Sequence, residues 1–411
     1  MDHILTGLVW LFVPAVFLLA VASELGARWW IHHRSRYYVF PPGLRLRLRP
    51  DPEISSHLES LVRFDVNRQG ERGNDVPRSV DGLYRVLVVG GSQPEGYLLD
   101  QDTSWPGALQ RLLETPDHKE RLGASNVHVG NIARSGVGSE SLDLILERVL
   151  PNYTRLHMII ILVGASDVLR WLEAGAPPSP PRPAPASEVF RCHPELTFGW
   201  KLKQLALVEL FLRIRHRWLR PVQLHESACK WIRKARAMRA RATQIQTTLP
   251  DPTPMLAHLD LHFRHALQKA LAHADRVLVV RQPWFDKHAT PEEMAYMWHG
   301  GIGQAWSEEV TTFYSLEVLS KLMALLDAEV ARVAQELDVE QVDLMPILER
   351  NLRTYYDFFH ATPAGARRVA RAVAAAVLRQ PLPSTRARRL GPHAADTIDG
   401  ADSGDLRQRV S

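Results

Sequence analysis

The chain has 411 residues, of which 45% are hydrophobic and 23% are charged, as in an ordinary globular protein. Its formal net charge of +5 is small for this length and does not favour nucleic acid as a partner. The two cysteines, Cys192 and Cys229, lack the paired spacing of a zinc site, and we expect two separate thiols, although a disulfide would form if the domain is exported.

The N-terminal segment is the first predicted element. Residues 4–23 are twenty residues without a charged side chain, about the ~20 that are needed to cross the hydrocarbon core of a bilayer. Trp29 and Trp30 follow at the position of an interfacial aromatic belt. A cleavable signal peptide is the alternative, because Ala-Val-Ala precedes Ser23, but no Lys or Arg precedes the apolar run. We therefore predict a retained transmembrane anchor over residues 1–30.

A lead-in segment, residues 31–80, connects the anchor to a region in which strand-like and helix-like segments alternate, residues 81–378. The predicted strands are 84–90, 126–133, 157–164, 276–283 and 340–345, and the predicted helices are 104–114, 139–150, 315–337 and 363–378. This alternation predicts a doubly wound, three-layer α/β/α fold with a central parallel sheet. In such sheets ligands bind at the carboxyl ends of the strands.

Two regions interrupt this pattern. A Pro-rich linker, residues 175–187, opens an insertion that reaches residue 255 and is predicted to be helical and basic. Residues 201–241 carry twelve Lys or Arg, with apolar side chains near helical spacing, so they either lie on an anionic membrane surface or pack their apolar stripe on the core. The polar tail, residues 379–411, is predicted to be disordered.

The first strand ends in Gly90-Gly91-Ser92, which is the first candidate site. The spacing of its glycines fails the dinucleotide-binding pattern, and the Lys of a phosphate-binding loop is absent. Pro94 stands where the nucleophile elbow of α/β-hydrolases has glycine. Taken alone, Ser92 is either a turn residue or a nucleophile.

Three further motifs fall at strand ends or just before a helix. Gly136 lies in a short loop after the second strand, and Ser166 follows the third strand. Asp357 precedes His360 by three residues, just before the last helix. Each has an ordinary structural explanation, since glycines serve turns, serines cap helices and histidines lie on surfaces. Their shared position at the strand ends favours one common site.

In this order the motifs resemble the SGNH (GDSL-type) hydrolase family, and the lead-in residues 67–73 resemble those of its membrane-anchored members. The resemblance implies that Ser92 is the nucleophile, His360 the base and Asp357 the acid that orients it. It also implies an oxyanion hole formed by the N–H groups of Ser92 and Gly136 and an Asn side chain, whose place Ser166 takes in this chain. No metal or organic cofactor is implied.

The function implied by the resemblance is a serine esterase that acts on O-acylated carbohydrate or a cell-envelope ester outside the cytoplasm. Arg28, Arg34 and Arg36 follow the predicted span, and the positive-inside rule would instead keep the domain in the cytoplasm. An acyltransferase with the same triad is one alternative. A non-catalytic scaffold is another, because Ser166 replaces the family's Asn. Residues 284–301 are a candidate substrate loop, whose histidines lack the spacing of metal ligands.

Overall fold

The computed structural model describes residues 2–77, 79, 81–179, 184–225 and 227–379. Apart from residue 379, the predicted tail lies outside the described residues, as do residues 180–183 of the Pro-rich linker. The strands are β1 (Arg45–Leu48), β2 (Val62–Asp65), β3 (Leu83–Gly90), β4 (Asn126–Asn131), β5 (Leu156–Leu162), β6 (Val222–His225), β7 (Gln244–Gln246), β8 (Ala274–Val280), β9 (Thr312–Tyr314) and β10 (Glu340–Val342).

Helices alternate with these strands along the chain. They are α1 (Asp2–Arg34), α2 (Ser92–Glu95), α3 (Trp105–Leu113), α4 (Pro116–Arg121), α5 (Ser139–Val149), α6 (Ala165–Glu173), α7 (Ala186–Val189), α8 (Ala206–Leu219), α9 (Ser227–Ala240), α10 (Thr253–His273), α11 (Pro291–Met294), α12 (Leu316–Glu336) and α13 (Pro363–Val377). All four predicted helices of the alternating region are present, as α3, α5, α12 and α13.

The central sheet has five parallel strands in the order β10-β8-β5-β3-β4. Helices α3 and α13 pack against each other, while α5, α6 and α12 each pack against α10. The predicted doubly wound α/β fold is confirmed. Gly90 of β3 pairs with Leu162 of β5, and Val88 of β3 pairs with Asn131 of β4, so the loops after these three strands start at one edge.

The position of β5 in the centre of the sheet explains why its sequence is a nearly continuous apolar run. Residues 158–162 of β5 are fully buried, because β5 has a strand on each side and helices above and below. A parallel strand that is buried on both faces has no reason to alternate polar and apolar residues. The middle of the sheet is thus a rigid base for the loops at its carboxyl edge.

The N-terminal helix α1 runs to Arg34 and so includes the first four residues assigned to the lead-in. The segment Pro14–Arg34 of this helix is long and apolar enough to cross a membrane, by length and composition alone. A signal sequence would pass the same test. The rest of the lead-in forms the antiparallel pair β1 and β2, and β6 of the insertion adds to β1 in parallel. The insertion is therefore not wholly helical, because β1 offers it an open strand edge.

The two long helices of the insertion behave differently. Ile232 and Met238 of α9 are buried against neighbouring core residues, as the packing interpretation predicts. In α8, Phe211 is 63% exposed and Trp218 is 75% exposed, so this helix does not pack its apolar stripe on the core. Instead α8 lies along α1, and the Glu24 carboxylate accepts hydrogen bonds from the first two N–H groups of α8. Its apolar face is open.

The two cysteines are free thiols, as predicted, and both Cys192 and Cys229 are buried. Burial raises the pKa of the Cys192 thiol to about 11. This thiol is therefore un-ionised near neutral pH and is not a reactive nucleophile.

Candidate active site

The loop after β3 turns sharply to begin the short helix α2, and Ser92 is the first residue of that helix. Gly90 has φ +149°, and a Cβ there would lie 1.9 Å from the carbonyl oxygen of Leu162. Only glycine fits this close approach of two strands. The turn leaves the Ser92 side chain partly exposed at the carboxyl edge of the sheet.

Asp357 and His360 come from the loop between β10 and α13, and they reach Ser92 across the same edge. His360 Nε2 lies 2.8 Å from Ser92 Oγ. His360 Nδ1 lies 2.8 Å from Asp357 Oδ2 and 2.9 Å from Oδ1. The three side chains form a continuous hydrogen-bonded chain from carboxylate to imidazole to hydroxyl, which is the arrangement that activates a serine.

Asp357 is completely buried and is held by several donors. The backbone N–H groups of Phe359 and His360 donate to Oδ1 at 2.9 and 2.8 Å, and the indole N–H of Trp298 donates to Oδ2 at 3.0 Å. Burial alone would raise the pKa of this carboxyl group, but the charge of His360, the hydrogen bond to its imidazole and the backbone N–H of Phe359 lower it well below its usual range. Asp357 is therefore an anion whose position is fixed.

Two aromatic rings lie near the imidazole of His360 and are nearly parallel to it. Tyr356 lies 5.4 Å from it, centroid to centroid, at an interplanar angle of 9°, and Trp298 lies at 6.4 Å and 8°. Burial opposes protonation of His360, but the charge and hydrogen bond of Asp357 outweigh burial and raise the pKa of the imidazole. A raised pKa makes His360 a stronger base towards the Ser92 hydroxyl.

A second histidine, His299, lies beside the triad with its ring 5.9 Å from that of His360. It stacks on Trp298 at 3.6 Å and is 2% exposed. Burial lowers the pKa of His299 to about 3, so the ring is neutral at any pH at which the protein would work. Its two nitrogens have no hydrogen-bond partner among the described residues. A neutral ring leaves the raised basicity of His360 undisturbed.

The three predicted oxyanion-hole residues, Ser92, Gly136 and Ser166, line one cleft. A Cβ on Gly91 would lie 3.2 Å from the carbonyl oxygen of Val137 and 3.7 Å from Ser166 Oγ, so the Gly136 loop and Ser166 both reach the nucleophile turn. Within the described part of the chain, the Ser166 hydroxyl makes no hydrogen bond.

The backbone donors of this group are also free. Ser92 is the first residue of α2, so its N–H has no acceptor within the helix. The N–H of Gly136 donates to no backbone carbonyl of the described residues. Gly136 has φ +80°, a conformation that favours glycine. Two N–H groups and one hydroxyl near the nucleophile thus have no partner among the residues that the structure describes.

A cleft of about 860 Å³ opens over the triad. Its walls come from the core, from the lead-in and from the insertion, and they include Phe40 and Phe64 as well as Trp231, Trp298 and Trp306. This volume is in the range of sites for small organic ligands. The insertion therefore covers part of the site instead of forming a separate module.

A residue of the lead-in supports the short helix that begins with Ser92. Arg72 is 3% exposed, and its guanidinium donates to the backbone carbonyls of Glu95, Gly96 and Leu99, which surround the end of α2. Beside it the buried carboxylate of Glu71 contacts His128 at 2.8 Å. The resemblance of residues 67–73 to the lead-in of membrane-anchored members thus corresponds to a buried polar contact with the nucleophile helix.

The structure brings all the predicted site residues together, while their catalytic roles stay predictions. The contact of Trp298 with Asp357 was not predicted from the sequence, although residues 284–301 were singled out as a substrate loop. The stacking of Tyr356 on His360 was also missed. The only available signal was that Tyr356 directly precedes Asp357.

Comparison with known proteins gives matches in structure only. No protein-family model matches the chain, and no curated protein matches it. A member of the lipolytic G-D-S-L family from Veillonella parvula is 10% identical, with a TM-score of 0.39 over 72% of this chain and 100% of that chain. Axe2, an acetylxylan esterase from Geobacillus stearothermophilus, is 12% identical, with a TM-score of 0.37 over 72% of this chain and 95% of that chain.

Both TM-scores are below 0.5, so we infer function from the geometry of the site. In the order of its motifs and in its doubly wound α/β fold, the chain is similar to the SGNH (GDSL-type) hydrolases.

Proposed function

We propose that this protein is a serine ester hydrolase that forms an acyl-enzyme at Ser92. The observation that carries the proposal is the chain of hydrogen bonds from Asp357 through His360 to Ser92 Oγ. The hydroxyl of serine is a poor nucleophile until a base removes its proton. His360 has the contact, the orientation and the raised pKa for that task.

In the first half of the reaction, Ser92 Oγ attacks the carbonyl carbon of the ester while His360 Nε2 takes the hydroxyl proton. The tetrahedral intermediate collapses, the bond to the alcohol oxygen breaks, and the leaving alcohol takes the proton from His360. In the second half, a water molecule attacks the acyl carbon and gives its proton to His360. The acid product then leaves, and the proton returns to Ser92.

The negative charge of each intermediate falls on the former carbonyl oxygen. The N–H groups of Ser92 and Gly136 and the hydroxyl of Ser166 are the donors we assign to that oxygen, since all three are unpaired near the nucleophile. One donor of this kind typically contributes about a hundred- to a thousand-fold in rate. Ser166 takes the place of the family's Asn with a shorter side chain that donates one hydrogen bond instead of two.

We propose an O-acylated saccharide or another cell-envelope ester as the substrate. The cleft combines room for about one drug-sized ligand with several indole rings, whose flat apolar faces suit sugar rings. Trp231 comes from the insertion and Trp298 from the loop before β9, so the two rings approach the triad from different elements.

We also propose that α1 is a membrane anchor and that the catalytic domain lies outside the cytoplasm. The length and composition of α1 support the anchor. Arg28, Arg34 and Arg36, which follow the apolar run of α1, favour the opposite orientation, so the orientation needs a direct test. A reporter that is active only outside the cytoplasm, fused after residue 380, should be active; activity of a cytoplasmic reporter alone would overturn the orientation.

The function is tested with the purified full-length chain and a panel of acetylated sugars and short acyl esters. We expect release of the free acid with wild type and none with Ser92→Ala. Appearance of an acylated saccharide in preference to free acid, when an acceptor is added, would instead assign an acyltransferase. Absence of both products with a folded wild-type protein would favour a binding or scaffold role.

A further inference from the structure

A second cluster of titratable side chains lies between two helices outside the cleft. Helix α5 contributes Glu140 and Asp143, and helix α10 contributes His258, His262 and His265. The histidines are spaced by four and three residues, so they lie on one face of α10 that packs against α5. None of the five lines the cleft over the triad.

The ligand atoms of Glu140, His258 and His262 all lie within 4.8 Å of one another. His258 Nε2 lies 3.3 Å from a Glu140 oxygen, and this pair does not make a hydrogen bond. His262 Nδ1 lies 3.2 Å from Asp143 Oδ2. In a tetrahedral site with bonds of about 2.0–2.1 Å, neighbouring ligand atoms are about 3.3–3.4 Å apart. The imidazole and carboxylate of the first pair therefore need almost no movement to share an ion.

We propose that Glu140, His258 and His262 bind a divalent transition-metal ion of the zinc class. Two imidazoles four residues apart on a helix, with a carboxylate from a facing helix, are the ligand types and geometry that zinc prefers. All three side chains are partly exposed, so an ion can enter and a fourth ligand position is open to water. The ion bridges α5 and α10 at one point.

Asp143 orients one of these ligands and does not itself bind the ion. One of its oxygens contacts His262 Nδ1, and the other accepts a hydrogen bond from Lys269 at 2.6 Å. A carboxylate on one imidazole nitrogen fixes the ring and leaves the other nitrogen, Nε2, for the metal. The ammonium of Lys269 holds Asp143 in this supporting position, and His265, at 3.6 Å from Asp143, is not needed as a ligand.

The site lies next to the oxyanion side of the cleft. Ser139 begins α5, one residue before Glu140, and its N–H donates to Asp167 at 2.9 Å. Asp167 directly follows Ser166 in α6. A metal ion that ties α5 to α10 therefore stabilises the helix whose first turn is bonded to α6. Its expected effect is on the stability of the fold, and it takes no part in the ester chemistry.

The test is titration of the chelator-treated, full-length protein with zinc chloride, followed by calorimetry and by thermal unfolding. We expect one equivalent bound and a rise in Tm. His258→Ala and the nearly isosteric Glu140→Gln should each weaken binding by on the order of a hundred-fold or more. Asp143→Asn should weaken it about 10- to 100-fold, as for other carboxylates that orient a ligand. Binding should also weaken in acid, because imidazole must be neutral to bind.

His273→Ala is the matched control, since His273 is an exposed histidine near the end of the same helix and outside the cluster. Zinc affinity of this variant should equal that of wild type. Circular dichroism of each variant without metal separates loss of the fold from loss of a ligand, and Glu140→Gln keeps the test valid if His258→Ala does not fold. Absence of stoichiometric binding to wild type, or wild-type affinity in Glu140→Gln, would overturn the proposal.

Discussion

Replacing Ser166 by Ala tests the residue at which this chain departs from the family that its motifs resemble. Ser166 is 9% exposed, and its hydroxyl makes no hydrogen bond within the described residues. Removing it leaves no buried partner unsatisfied, so we expect the free energy of unfolding to change by less than about 1 kcal/mol. The fold should survive, and any loss of rate can then be assigned to the chemistry.

The expected loss of rate follows from the position of the hydroxyl. Ser166 Oγ is close enough to the nucleophile turn to lie 3.7 Å from a Cβ on Gly91. If it donates to the oxyanion, Ser166→Ala removes one of three donors and lowers kcat by about a hundred- to a thousand-fold, or about 2.7–4 kcal/mol. The KM for a short acyl ester should change little, because the charge exists only in the transition state.

The assay is steady-state hydrolysis of a chromogenic acetyl ester by the full-length chain in detergent. Ser141→Ala is the matched control, since Ser141 is another buried serine that lines the same cleft. Ser141→Ala should retain the wild-type rate within about threefold, as expected of a change that removes no transition-state contact. A kcat for Ser166→Ala equal to that of Ser141→Ala would refute the assignment of Ser166 to the oxyanion hole.

Three further predictions concern the support of the triad. Trp298→Phe removes the indole donor from Asp357 but keeps a ring beside His360. We expect kcat for the same ester to fall about 10- to 150-fold, because a hydrogen bond to a charged group is worth about 1.5–3 kcal/mol. An unchanged kcat would show that the indole does not position the carboxylate. The pKa of His360 is raised above 6.5, and His360 acts as a base only when its imidazole is neutral. We therefore expect kcat/KM to rise with pH through a midpoint above 6.5. A midpoint at or below 6.5 would contradict the raised pKa. Arg72→Met leaves three carbonyls around α2 without their donor. Urea denaturation should show that the free energy of unfolding falls by about 3 kcal/mol or more. Arg68→Met changes an exposed arginine and is the control, and an equal fall in that variant would rule out this explanation.

The centre of the sheet could be predicted from the sequence because β3 and β5 are largely apolar runs, each followed by a loop that contains glycine. Asp357 and His360 could be predicted as a pair, since they are three residues apart and close in space for local reasons. Their contact with Ser92 joins residues 268 positions apart, and only the resemblance to a family predicted it. No periodicity encodes a contact of that range.

The missed features depend on tertiary contacts that no local pattern shows. The indole of Trp298 reaches Asp357 over 59 residues of sequence. Strand β6 forms because β1 has a free edge, which is a property of the folded lead-in. The apolar residues of α8 and α9 have similar spacing, but α9 finds a core to pack on while α8 is occupied on its other side by α1. Whether an apolar side chain is buried therefore depends on which other elements the fold places beside it.

The most direct test of the triad is labelling of the full-length chain with a fluorophosphonate probe, which reacts with activated serines. Wild type should be labelled, and Ser92→Ala and His360→Ala should not, because the first lacks the nucleophile and the second lacks its base. His299→Ala changes the neighbouring histidine that does not contact the nucleophile, and it should keep its label. A folded wild-type protein that takes no label, or His360→Ala labelled as fast as wild type, would contradict an activated serine at this site.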